Sequence, residues 1–306
     1  MDEQNQALLQ ALYDQLNGDA DHDADVLMDW AERYRDDPDA APLLTEIGRL
    51  LFRLDPQENE ALTQETIDKT LRMRDGALSD ARRLSQIGRL EEALELLQPW
   101  LTEAETMLLS EDCLWMDFQS FLDGMLFQDY FEEEIDGREI RRHPLRPGIL
   151  YYTCSCLLVE LERYDEALEL LDALLGLDPV CPQYLFELTD TLKRVGRIEE
   201  AANFASWTLD CVSGDADLAR CYRDLGYCKA EAGAWEDAAA LYQLSVRFQT
   251  SPLVEDELRW IAEQSGEPVR RFSEEALQDR CDALGIRIGI SDAVKHNLEL
   301  LEGLAP

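Results

Sequence analysis

Four six-residue segments of this 306-residue chain share one order of polar, apolar and small residues. In each segment two residues precede an apolar position, two acidic residues follow it, and alanine comes three positions after it. Three positions return to the same side of a helix, so the apolar residue and the alanine share one face. The pattern predicts a turn followed by an amphipathic helix at 88–93, 162–167, 196–201 and 233–238.

The four segments recur at a nearly constant interval. Those starting at Glu162, Gly196 and Gly233 are 34 and then 37 positions apart, and Gly88 precedes Glu162 by 74 positions, about two intervals. Such a period is typical of stacked helix–turn–helix units that bury their apolar faces against one another. The small alanines predict close contact between the two helices of a unit. An unrelated helical bundle is the alternative.

Two further features complete the pattern. Tyr222-x2-Leu225-Gly226 lies in one first helix, and a second helix ends at Leu177-Asp178-Pro179, where proline stops it. At these residues the chain resembles the tetratricopeptide repeat (TPR) family, over roughly 74–107 and 148–252. Lys229 departs from the aromatic of the family pattern, and no proline closes the last copy. The layout is also similar to uncharacterised bacterial TPR proteins with an aromatic segment before the repeats and a short helical tail.

The resemblance implies an all-α fold, a right-handed α-solenoid of antiparallel helix pairs with an aromatic insertion and a short helical C-terminal cap. The scarcity of glycine (16) and proline (11) agrees with helix throughout. We divide the chain into an acidic N-terminal helical region (1–73), a first TPR-like unit (74–110), an aromatic and charged insertion (111–147), three consecutive units (148–252) and C-terminal capping helices (253–306). Within the first region, helices are predicted at about 3–16, 24–36, 39–52 and 57–86, with a stop at Leu54-Asp55-Pro56.

Residues 111–147 interrupt the period with aromatic and then charged side chains. Trp115, Phe118, Leu122 and Met125 follow helical spacing, which favours a helix packed into the core. The alternative is a segment that lies over the concave side of the repeats and shapes a groove there. Asp136-Gly137 predicts a tight turn suited to a small hairpin.

Charge narrows the classes of partner. Asp and Glu number 65 and Lys and Arg 28, which gives a net charge of −37. A field of this sign repels nucleic acid and anionic membranes, so we expect neither as a partner. No apolar run is long enough for a membrane-spanning helix, and Met1-Asp2-Glu3 lacks the start of a signal peptide. We expect a cytoplasmic protein.

The sequence contains no motif of an enzyme or of a metal site. It has no phosphate-binding glycine loop, no nucleophile elbow and no His-Glu-x-x-His. The eight cysteines lack a paired framework and are predicted to be reduced core residues. Residues 19–25 resemble the start of a calcium loop, but Ala24 and Trp30 stand where glycine and glutamate are needed, which favours a helix cap. We expect no catalysis, no cofactor and no metal.

In the TPR family the first helix of each unit lines a concave groove that holds a peptide or a partner helix. Arginine and aromatic residues, which often dominate binding energies, are among the positions that this register implies. The basic residues either receive acidic groups of a partner or neutralise the neighbouring Asp190 and Asp224. Carried over position by position, the predicted groove residues are Tyr152, Phe186, Lys193, Arg194, Arg220, Arg223 and Tyr227, with Cys156, Val159 and Gln183 beside them.

These features predict a non-enzymatic scaffold or adaptor whose groove binds a peptide or helix with acidic and apolar groups. The alternative is an acidic decoy or regulator that binds a basic protein over its outer surface, with binding that falls steeply as salt rises. A DNA-mimicking inhibitor is more remote. A divalent-metal sensor built on the N-terminal aspartates is a further class.

Overall fold

The computed structural model of the protein describes residues 3–34, 37, 40–54, 60–106 and 113–304. The predicted stop at Asp55-Pro56, the predicted helix starts at 39 and 57 and the predicted boundary after 110 lie outside these residues. The chain divides into two compact units, Met1–Asp75 and Gly76–Pro306. No helix in the described part of the chain is both long and apolar enough to cross a bilayer.

The N-terminal unit is helical, and its acidic loop serves as a helix start. Its core is formed by Leu12, Leu27, Trp30, Leu43 and Ile47. The Asp19 carboxylate accepts a hydrogen bond from the His22 N–H at 3.0 Å, and Asp23 accepts from Asn17 and Gly18. These carboxylates therefore cap a helix, as the sequence favoured. The helices are α1 (Glu3–Tyr13), α2 (Ala20–Tyr34), α3 (Ala41–Leu54) and the start of α4 (Glu60–Gln86).

The second unit is an all-α solenoid of helix pairs with a small insertion. Consecutive pairs share buried clusters, so the core runs along the array instead of closing on itself. In chain order its elements are α5 (Leu90–Thr106), β1 (Cys113–Met116), α6 (Phe121–Tyr130), α7 (Glu132–Ile135), β2 (Glu139–Arg142), α8 (Gly148–Glu160), α9 (Tyr164–Leu177), α10 (Pro182–Arg194), α11 (Ile198–Cys211), α12 (Asp215–Glu231), α13 (Trp235–Ser245), α14 (Pro252–Ser265), α15 (Glu274–Leu284) and α16 (Asp292–Leu304).

The four predicted turns share one backbone geometry. Their first residues have positive φ angles: 76° at Gly88, 59° at Glu162, 75° at Gly196 and 73° at Gly233. In every turn the next N–H donates to the carbonyl oxygen five residues earlier at 2.9 Å, as Arg197 does to Leu192. This is the left-handed helix ending that glycine adopts with least strain. The repeated hexapeptide therefore encodes a helix stop and a reversal of direction.

The helices of each pair approach closely where the sequence places small residues. The repeated alanines, Ala93, Ala167, Ala201 and Ala238, are fully buried. A Cβ added to Gly226 would lie 3.2 Å from the Tyr242 ring, so α12 and α13 meet at a glycine. Larger side chains at these positions would force the helices of a pair apart.

Glu162 offers a test of the turn geometry, because it is the one non-glycine among the four turn residues. Glu162→Gly is expected to raise the free energy of unfolding by about 0.5–1 kcal/mol, since relief of left-handed strain exceeds the entropy that glycine adds to the unfolded chain. Gly196→Ala is the matched reverse change and should lower it by about 1–2 kcal/mol. Urea titrations measure both; a loss of stability in Glu162→Gly would contradict the strain argument.

The insertion differs from its sequence prediction. Trp115 lies in β1 instead of a helix, and β1 pairs with β2 in parallel, with Cys113 opposite Glu139. The helix starts only at α6, because Ser120 and Asp123 exchange the hydrogen bonds of a capping box. Local periodicity missed the strand because its pairing partner lies beyond α6 and α7.

The turn at Asp136-Gly137 is present, but it does not make a hairpin. Both residues have positive φ, 45° and 73°, as the predicted turn requires. The turn joins α7 to β2, and β2 pairs with β1 in the parallel direction, which requires a crossover instead of a tight reversal. Helices α6 and α7 form that crossover.

Four aromatic side chains of the insertion, Phe118, Phe127, Tyr130 and Phe131, pack into a core cluster as the favoured interpretation predicted, whereas Phe121 is 85% exposed. Leu126 is fully buried in a cluster that also contains Leu185 of α10 and Cys211 of α11. The Tyr130 hydroxyl donates to the Asp210 carbonyl oxygen at 3.0 Å. The Asn297 amide of α16 donates to the Asp129 carboxylate at 2.6 Å. The insertion thus contacts both the repeats and the last helix.

Candidate functional site

The predicted groove residues lie on the first helices of three consecutive pairs. Tyr152 is on α8, and α10 contacts both α8 and α12. Along α12, Arg220, Arg223 and Tyr227 are spaced by three and four positions, which places them on one helix face. That face meets α10, because Arg220 and Asp224 form ion pairs with residues of α10.

Two of the four bases are held in an ion-pair network between α10 and α12. Lys193 Nζ lies 2.5 Å from Asp190 Oδ1 and 2.6 Å from Asp224 Oδ1. Arg220 Nη2 lies 2.7 Å from Asp190 Oδ2. Burial by itself would lower the pKa of Lys193, but Asp224 and Asp190 outweigh burial and raise that pKa. Lys193 and Arg220 therefore neutralise the neighbouring Asp190 and Asp224, which was one of the two alternatives for the basic residues.

The same two bases cover aromatic rings. The Arg220 guanidinium lies 4.1 Å from the centre of the Phe186 ring, and Lys193 Nζ lies 5.4 Å from that of Tyr227. Phe186 is only 4% exposed, so it supports Arg220 and offers little surface to a partner. Tyr227 is half-buried and keeps part of its ring accessible. Cation–π contact and ion pairing together fix the positions of Lys193 and Arg220.

The predicted groove residues on α8 carry no charge and no reactive nucleophile. The Tyr152 ring packs 5.6 Å from that of Tyr184. Burial raises the pKa of the Tyr152 hydroxyl to about 12. Burial and the nearby Glu187 carboxylate raise the pKa of the Cys156 thiol to about 12, so it stays protonated and is a weak nucleophile near neutral pH. These groups supply shape and hydrogen bonding to the groove.

Arg194 and Arg223 differ from the other two bases. Among the residues that the structure describes, neither forms an ion pair within 4.0 Å. Arg194 is exposed, whereas Arg223 is half-buried. Arg223 Nη1 is buried and has no hydrogen-bond partner within the described chain. A buried donor without an acceptor costs about 1–3 kcal/mol.

Helix α14 continues the series of helices on which the groove residues are predicted, which sequence analysis missed. Helix α14 starts at Pro252, 70 positions after Pro182, where α10 starts. The glycines that follow the two helices, Gly196 and Gly266, are also 70 positions apart and have similar left-handed φ angles of 75° and 72°. In this register, two of its apolar residues fall at groove positions. They are Leu253 and Trp260, which are 64% and 37% exposed. The Pro–Gly spacing is the sequence signal that would have found them.

The insertion packs mainly on second helices and also reaches Leu185 of the first helix α10. Its apolar cluster includes Leu175 of α9 and Phe204 and Trp207 of α11, which belong to second helices. None of the seven predicted groove residues belongs to this cluster within the described chain. The alternative in which the insertion occupies the groove is therefore not what the structure shows.

No family model matches this sequence, and no curated protein matches it. A solved structure described as MamA RS-1 ArsTM double mutant is similar, with a TM-score of 0.44 and 15% sequence identity. That similarity covers 68% of this chain and 90% of the MamA chain. The α-solenoid is defined by the helix pairs and the four shared turns of the chain itself.

Proposed function

We propose that this chain is a protein-interaction scaffold that binds an extended peptide or a helix against α8, α10, α12 and α14. The observation that carries the proposal is the half-buried Arg223, which forms no ion pair within the described chain and lies three positions after Arg220 of a preformed ion-pair network. Because Lys193 and Arg220 are already fixed, little side-chain entropy is lost when a partner settles against them. The proposal includes no catalytic step.

Charge and apolar exposure define the ligand. Arg194 and Arg223 favour carboxylates, and an arginine pairs with a carboxylate in a two-pronged geometry that lysine cannot match. Tyr227, Trp260 and Leu253 favour apolar side chains at the C-terminal end of the face. The ligand is therefore a segment with one or two acidic groups followed by apolar ones.

The net charge of the protein limits how acidic that segment is. A field of −37 repels acidic ligands at long range, but charges beyond about 8 Å are screened at physiological salt. Local contacts with Arg194 and Arg223 therefore decide affinity, and repulsion mainly slows the encounter. For a strongly acidic ligand, the unfavourable free energy of repulsion would exceed the favourable free energy of its contacts with the two arginines.

Charge reversal at Arg223 tests the groove. Arg223→Glu is expected to weaken partner recovery from native cell extract at least tenfold, about 1.4 kcal/mol or more, because a buried donor becomes a like charge. Trp260→Ala should produce a loss of similar size. Arg142→Glu, an exposed change in the insertion, is the charge-matched control and should recover the partner at the wild-type level.

Melting temperatures of all three variants establish that the array stays folded. Equal recovery by Arg223→Glu, Trp260→Ala and the wild type would overturn the groove assignment. Recovery that ignores these variants but collapses as salt is raised would instead support the acidic decoy that binds a basic partner.

A further inference from the structure

A separate buried polar site lies where the insertion meets the repeats. Asp123 is in the first turn of α6, Asp178 follows α9, and Cys181 is the N-cap of α10. Each offers one oxygen or sulfur atom, and these atoms lie within 4.8 Å of one another. The three residues are 5%, 0% and 4% exposed. No lysine or arginine of the described chain forms an ion pair with Asp123 or Asp178.

Two buried carboxylates at this distance need a compensating positive charge or a proton. Asp123 accepts from the Ser120 N–H at 2.8 Å, and Asp178 Oδ2 accepts from the Gln119 N–H at 3.0 Å. These backbone N–H groups provide a hydrogen bond to one carboxylate oxygen of each aspartate. Asp178 Oδ1 is buried and has no hydrogen-bond partner within the described residues. Asp178 Oδ1 therefore needs a proton or a bound cation as its partner.

A second buried group that lacks a partner among the described residues follows Cys181 on α10. Tyr184 is one turn beyond Cys181 on α10 and is 2% exposed, yet its hydroxyl has no hydrogen-bond partner within the described chain. A Cβ built on Gly148 would lie 3.0 Å from this hydroxyl and 2.8 Å from Asp117 Oδ2, so both atoms face the start of α8. The Asp117 N–H donates to the carbonyl oxygen of Leu177, the residue before Asp178. Asp117 therefore links Gly148 of α8 to the chain just before Asp178.

We propose that Asp123, Asp178 and Cys181 bind a divalent transition-metal cation of the Zn²⁺ class, which fastens the insertion to the repeats. Two carboxylates and a thiolate suit Zn²⁺, whereas Ca²⁺ and Mg²⁺ take six or more oxygen ligands. A tetrahedral Zn²⁺ ion takes a fourth ligand, which a water molecule can supply. A proton shared by the two carboxyl groups is the competing explanation, and it would not involve the Cys181 thiol.

Zinc titration of the full-length protein, stripped with a chelator beforehand, tests this site. We expect a single equivalent to bind and the melting temperature to rise by about 5–10 °C at a hundredfold excess over the dissociation constant. The isosteric variants Cys181→Ser and Asp178→Asn should each weaken binding at least about 100-fold and abolish the rise, since each removes a direct ligand. With Co²⁺ as the probe, a thiolate-to-metal charge-transfer band should appear and be lost in Cys181→Ser.

Cys113→Ser is the matched control, because Cys113 is a half-buried thiol of the same insertion outside the cluster. It should keep full affinity and the full rise in melting temperature. The site is disproved if Zn²⁺ leaves the wild-type melting temperature unchanged, or if Cys181→Ser binds as tightly as the wild type. If Zn²⁺ has no effect and Asp178→Asn alone stabilises the protein, the carboxyl groups share a proton and hold no metal.

Discussion

Tyr222→Ala is expected to lower the free energy of unfolding of the Gly76–Pro306 unit by about 4 kcal/mol, as is typical of a large buried aromatic residue replaced by alanine. Tyr222 is fully buried in α12, and its ring packs 5.3 Å from that of Phe248. Its hydroxyl donates to the Arg287 carbonyl oxygen at 2.9 Å and accepts from the Gly289 N–H at 2.8 Å. The substitution removes both the packing and the link to the C-terminal segment.

Tyr222→Phe separates these two contributions. It keeps the ring but leaves two backbone groups without partners, so we expect a loss of about 2 kcal/mol. Tyr164→Phe is the control, because Tyr164 is half-buried at the start of α9, and its effect should stay within about 0.5 kcal/mol. Chemical denaturation of the variants measures the differences. A Tyr222→Phe variant as stable as the wild type would show that the hydroxyl does not support the C-terminal segment.

His143 is expected to make the unit less stable in acid. It is 6% exposed, and burial lowers its pKa to about 4. Its Nδ1 accepts a hydrogen bond from the Leu145 N–H at 3.2 Å, which protonation of that nitrogen would break. The unfolded chain binds the proton with a pKa of about 6.5, so the stabilisation is complete above that pH and is lost as pH falls toward 4. The expected loss by about pH 4.5 is 2–3 kcal/mol.

His143→Asn isolates this effect from the many carboxylates that titrate in the same range. Asparagine retains an acceptor for the Leu145 N–H but does not titrate. The difference in unfolding free energy between wild type and variant should therefore shrink, or reverse, by about 2–3 kcal/mol as pH is lowered from about 7.5 to about 4.5. His296→Asn, at an exposed site on α16, provides the control. A pH-independent difference for His143→Asn would contradict the burial of neutral histidine.

The repeat architecture was predictable because the features that define it, the spacing of small residues and the turn glycines, are local in sequence. Three-residue spacing determines which side of a helix Ala201 faces, and a glycine such as Gly196 marks a left-handed turn within a few residues. The helix starts at Ser273 and Ser291 are equally local, since each serine hydroxyl accepts a hydrogen bond from the backbone N–H three residues later. Such features need no knowledge of distant residues.

The features that sequence analysis missed depend on partners far along the chain. Trp115 has helical spacing with its neighbours, but pairing between β1 and β2 overrides that preference. Asp178 fits a helix stop before proline, and only the fold reveals that it is buried beside Asp123. Phe186 has the register of a groove residue, yet Arg220 from the next repeat covers it. Sequence spacing fixes the face of a helix, whereas burial depends on what packs against that face.

The contacts of the insertion with α11 and α16 also bear on how the array comes apart. Repeat arrays ordinarily fray from their ends, since each unit contacts only its neighbours. Here Tyr130 and Asp129 reach Asp210 and Asn297, across separations of 80 and 168 positions. Opening of the last helix must therefore break long-range contacts as well as local ones. Such long-range contacts slow folding. They also make unfolding of the last helix cooperative with separation of the insertion from the repeats.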